Sequence, residues 1–131
     1  MSRIEDILDG GKSALVVLFI PSHDKNNCAL TDPMNDQRHW TAMGKTLLAD
    51  LYNGATAFPH CEGIFKNEAG QYLYDSPIVL LETFVNQQQL HDASKMNQVF
   101  DFLKTMGKAT KQDTVMCVLN GVVHFIPEKD F

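Results

Sequence analysis

A chain of 131 residues is long enough for one domain with a buried core and too short for two ordinary ones. Hydrophobic residues at 44% beside charged residues at 21% exclude a chain disordered from end to end. The net charge of −5, with no stripe formed by the 11 Lys and Arg, argues against a nucleic-acid partner.

Residues 3 to 9 suit a short amphipathic turn through Ile4, Ile7 and Leu8, or a mobile arm over residues 1–12, broken by Gly10-Gly11. The first predicted strand, Ala14 to Ile20, is apolar in both alternations and so must be covered on both faces. It stops at Pro21, too short for a bilayer, and the acidic Glu5, Asp6 and Asp9 before it do not suit a signal peptide. The expectation is a cytoplasmic protein with no membrane partner.

Asp32-Pro33 has the form of an N-cap and first helical residue, and Trp40, Met43, Leu47, Leu48 and Leu51 follow at spacings of three and four. That helix is expected to end at Asn53-Gly54, with Gly54 taking the left-handed conformation. A second strand runs from about Thr56 to Lys66, and Pro59 inside it requires an edge or a bulge because proline has no N–H to donate. After a turn at Asn67 to Gln71, a third strand is interrupted or bulged at Asp75-Ser76-Pro77 and strongly apolar from Ile78 to Val85. A second helix carries Met96, Val99, Phe100, Leu103 and Met106 on one face and is expected to stop at Gly107. Thr114 to Leu119 and Val122 to Ile126 make a hairpin around Asn120-Gly121, the favoured type I′ pair.

This order, read with right-handed crossovers, predicts an α+β, ferredoxin-like βαββαβ fold over a single domain, 1–131. An extra C-terminal hairpin strand joins its antiparallel sheet, and both helices lie on one face. The other face would be open although its residues are apolar, so a homodimer through that face is expected.

The chemistry-bearing residues are few. His23, in the loop Pro21 to Cys28 at the end of a central strand, has a side chain suited to proton transfer near neutrality. A solvated turn in which Asp24 and Asn26 bond their own backbone is the alternative. Glu82 stands inside an apolar strand, where a carboxylate needs a partner or a wet cavity. His60, Arg38 or a second copy are candidates for that partner, and strand register decides. His23 and Glu82 are therefore the catalytic candidates, with Trp40, His60 and Tyr72 as ligand-binding candidates. Cys28, Cys61 and Cys117 are odd in number and lack Cys-x-x-Cys spacing, which disfavours disulfides and structural zinc. Alternation separates Cys61 from His60 and Glu62, so neither a metal nor any cofactor is expected.

Gly54-Ala55-Thr56, Gly63, Gly70 and Pro77-Ile78 resemble the helix-to-strand junction and hairpin of a set of small uncharacterised bacterial proteins. More broadly the chain resembles the dimeric α/β-barrel class of ferredoxin-like domains. That resemblance implies a small organic molecule bound in a pocket between sheet and helices, in some members by a cofactor-free oxygenase or isomerase. The alternative is a non-catalytic protein–protein interaction or accessory protein.

Overall fold

In the computed structural model, residues 4, 11–66 and 69–131 are described, so the expected N-terminal turn and most of the arm lie outside the described residues. The elements are β1 (Ala14–Ile20), α1 (Gln37–Tyr52), β2 (Thr56–Lys66), β3 (Tyr72–Val85), a one-turn helix α2 (Gln87–Leu90), α3 (Ala93–Ala109), β4 (Thr114–Leu119) and β5 (Val122–Pro127). A 3₁₀ turn, Glu128–Asp130, follows. One antiparallel sheet has the order β2-β3-β1-β4-β5, the ferredoxin-like arrangement with β5 added beside β4. No helix among the described residues is long and apolar enough to cross a membrane.

The strict alternation of β1 sorts its residues. Ala14, Val16, Leu18 and Ile20 are buried, and between them Leu15, Val17 and Phe19 are half-buried. The buried set meets Leu81 and Val85 of β3, Val115 and Cys117 of β4, Leu48 of α1 and Val99, Leu103 and Met106 of α3 in one core. Each such side chain contributes about 1.5–3 kcal/mol by leaving water. Gly44 lets α1 come down onto the sheet, because a Cβ there would stand 2.5 Å from Leu81 Cδ1 and 3.1 Å from Phe102 Cζ.

Two helix boundaries and one cap residue differ from the sequence reading. Helix α1 begins at Gln37 rather than Pro33, because Asp32 spends its carboxylate on the Met34 N–H in a turn while Asp36 caps the helix through the His39 N–H. At the other end Asn53, not Gly54, takes the left-handed conformation (φ 70°). Asn53→Val should therefore cost about 1–2 kcal/mol, the penalty of a Cβ-branched residue in that region. Gly54→Ala, with nothing within 4 Å of the added Cβ, should stay within about 0.5 kcal/mol. Denaturant unfolding of the two variants separates the assignments, and the reverse ranking would restore Gly54 as the special residue. Finally, α3 continues through Gly107 to Ala109. Gly107 is there for packing, since a Cβ would lie 2.6 Å from Phe131 Cζ and 2.8 Å from Val115 Cγ1.

Strand β2 is at the edge, as Pro59 requires. The pairing slips between Phe58 and Cys61, where His60 has φ 59°, and again between Cys61 and Gly63, opposite Asp75 to Ile78. These are the two irregularities that the prolines at 59 and 77 foreshadow. Asn120 and Gly121 both have positive φ in the β4–β5 turn, as a type I′ hairpin demands.

Candidate functional site: the open sheet face and Glu82

Both long helices pack on the face of the sheet that holds Val16, Leu18 and Leu81, so the opposite alternation points away from them. Cross-strand pairing aligns Thr56, Glu82, Val17, Val118 and Val123 in one row spanning all five strands. Phe58, Leu80 and Phe19 form the row on one side, continued by the Met116–Phe125 pair, and Leu15 and Phe84 pair on the other. The result is an apolar surface with one carboxylate near its middle. Phe58, Phe84, Val123 and Phe125 are exposed, and Glu82 is half-buried.

Register answers the question left open by the sequence. The cross-strand neighbours of Glu82 are Val17 and Thr56, neither of them a cation. His60 is four residues beyond Thr56 along β2, exposed within the bulge. Arg38 belongs to α1, behind the sheet. Among the described residues the Glu82 carboxylate has no ion-pair or hydrogen-bond partner, and the ion pair they do form joins Lys25 to Glu128 at 2.9 Å.

The other sequence-nominated residues do not gather around Glu82. His23 lies six residues past Val17, roughly 20 Å of extended chain, in a loop built mainly from its own backbone contacts. Asp24 Oδ1 accepts the Asn26 and Cys28 N–H groups at 2.9 Å, so the carboxylate next to His23 serves the turn rather than the imidazole. Ser22 Oγ lies 2.7 Å from His23 Nδ1, and Gln112 Nε2 donates to the His23 carbonyl at 2.7 Å. Trp40 is core: it is 7% exposed, donates from Nε1 to Asn35 Oδ1 at 2.9 Å and meets Phe102 edge-on. Tyr72 is exposed opposite Lys66, on the part of the β2–β3 hairpin that runs beyond the last β1 pair, Ile20–Val79.

Between sheet and helices the described residues form one buried core, Trp40, Leu48, Leu81, Val99 and Leu103 among them. Two surface depressions, of about 180 and about 290 Å³, lie beside the α3–β4 connection. Asp24, Asp32 and Asn35 line the first, and Lys25, Lys108 and Phe131 the second. In the core, burial pushes the Cys117 thiol up to about 11 and keeps it protonated. What sequence reasoning missed is the surround of Glu82, namely Phe19, Phe58, Leu80 and Phe84. The second apolar alternation of the central strands was its signal.

No protein-family model matches the sequence, and no curated protein matches it. Among solved structures the chain is similar to a phage SAM lyase in complex with S-methyl-5'-thioadenosine, with TM-score 0.60 and 15% identity over 93% of this chain and 95% of that one. It is also similar to phage SAM lyase in the apo state, with TM-score 0.57 and 16% identity over 97% and 94% of the two chains. At these identities the likeness establishes a common fold, and that fold extends over nearly the whole of each chain.

Proposed function

We propose that this protein is a small-molecule-binding domain whose ligand lies against the open sheet face, carries a positive charge and is held by Glu82. The observation that carries the reading is the unpartnered carboxylate among Val17, Leu80, Phe84 and Thr56. The half-buried carboxylate has no cation beside it among the described residues, and a cationic ligand would supply one at about 4 kcal/mol for a 4 Å separation at an effective dielectric constant of 20.

The structural neighbours suggest which cation to try first. S-adenosylmethionine joins a sulfonium charge to a purine, and Phe19, Phe58 and Phe84 offer faces on which a base can stack for about 1–3 kcal/mol. A lyase acting on it would break the bond from sulfur to the aminocarboxypropyl group, the electron pair going to sulfur while that group's own carboxylate closes on the departing carbon to leave a lactone, and the sulfonium would become the neutral thioether of S-methyl-5'-thioadenosine. The carboxylate would then hold substrate more tightly than product, which favours turnover. The oxygenase or isomerase variant calls for a base beside an enclosed pocket, and neither is assembled around His23. The filled interior favours the non-catalytic interaction reading instead, which is the outcome to beat.

Calorimetric titration with S-adenosylmethionine and S-methyl-5'-thioadenosine, paired with chromatographic detection of thioether release, tests the proposal. S-adenosylmethionine should bind the wild type more tightly than the thioether does. Glu82→Gln should lose at least about tenfold of the sulfonium affinity, the equivalent of one unit of differential charge interaction, and leave the thioether affinity unchanged. Binding of neither compound would put the interaction protein ahead.

A further inference from the structure

We propose that a second copy of this chain closes over the open sheet face, and that Glu82 makes this association depend on a cationic ligand between the two copies. The inference rests on the reading of Glu82 as a cation-binding carboxylate, and it adds the partner without which that site has no walls. Glu82 stands in the sheet alternation opposite the helix-packed core, so a ligand at Glu82 on one sheet is covered on one side only.

Area supports a chain-sized occupant. Phe58, Phe84, Val123 and Phe125 are 43%, 56%, 47% and 64% exposed. With aromatic side chains of roughly 150–250 Å² each, these residues and the half-buried apolar ones between them present on the order of 500 Å². That is near the top of the range for a monomer and within reach of the ~800 Å² per partner of a standard interface once the rim is added.

Charge supports a copy of the same face. The rows around Glu82 hold no other charged residue, so two such faces match each other in polarity except at the carboxylates themselves. Without ligand, association would bury two unpaired carboxylates, which opposes it. A cation on each carboxylate removes that opposition, and mass action then links ligand binding to assembly.

Light scattering across a concentration series tests the proposal on the full chain. Saturating S-adenosylmethionine should raise the wild-type mass from 14.7 kDa toward twice that value, while neutral S-methyl-5'-thioadenosine should not. Ligand-free Glu82→Gln should associate at least about tenfold more tightly than wild type, the factor attached to one unit of carboxylate desolvation. It should also lose the response to S-adenosylmethionine. Phe125→Asp, at an exposed position on β5, should keep the fold by circular dichroism and remain monomeric. Tighter association of Glu82→Gln without any S-adenosylmethionine binding by wild type would uphold the interface and overturn the ligand assignment. Equal association of wild type and Glu82→Gln, or undiminished association of Phe125→Asp, would overturn the interface.

Discussion

Leu81→Ala should destabilise the protein by about 2–5 kcal/mol, the range for truncating a fully buried leucine. Leu81 is wholly buried, pairs with Leu18 and Ala57 on neighbouring strands, and fills the space left by Gly44 of α1. That contact makes the two positions interdependent. In the wild type, Gly44→Ala forces a methyl group to within 2.5 Å of Leu81 Cδ1, an overpacking that costs about 1–3 kcal/mol and offsets the gain in helix propensity. In the Leu81→Ala background the same methyl enters a vacated volume and should recover stability. A double-mutant cycle by denaturant unfolding should show coupling of about 0.5–3 kcal/mol, the span for residues in contact. Strict additivity would mean that α1 does not lie on β3 as described.

The second large effect separates a core role from a ligand role. Trp40→Ala should cost about 3–5 kcal/mol, as expected for a buried tryptophan. The indole packs on Phe102, and its N–H meets Asn35, whose amide in turn donates to the Ala109 carbonyl at 2.8 Å. Trp40 thereby ties the start of α1 to the end of α3. Trp40→Phe, which keeps the ring packing and loses the N–H, should fall between wild type and alanine in stability. It should leave affinity for S-adenosylmethionine unchanged. An affinity loss with stability retained would return Trp40 to the binding site that its sequence position suggested.

The fold was largely legible because periodicity reports burial. Two-sided apolar strands at 14–20 and 78–85 end up side by side in the interior of the sheet, and Pro59 and Asn120-Gly121 mark an edge and a hairpin by backbone chemistry alone. The helix ends were less legible because several residues can do the same local task. Asp32 and Asp36 are both capping residues, and only the competing Asx turn at Asp32 decides between them. Asn53 and Gly54 both tolerate positive φ. Gly107 reads as a helix stop, and the approach of Phe131 from the far end of the chain, which explains it, leaves no local trace.

The site was half legible for a related reason. An isolated carboxylate in the run Ile78 to Val85 is visible in the sequence, but a one-residue change of register would have turned it into the helix-packed core. The Val17–Glu82 and Thr56–Glu82 pairs remove that ambiguity and place Glu82 on the face that the helices leave uncovered. Likewise the loop of His23 reads in sequence as a site or as a turn, and the hydrogen bonds show Asp24 occupied by the turn.

The central claim is that ligand binds the open sheet face at Glu82, and the direct measurement is residue-resolved NMR of the isotope-labelled chain titrated with S-adenosylmethionine. Shift changes should concentrate on Leu15, Val17, Phe19, Leu80, Glu82 and Phe84 and be absent in Glu82→Gln. Changes confined to Lys25, Lys108, Lys111 and Gln112, around the depressions beside the α3–β4 connection, would contradict it.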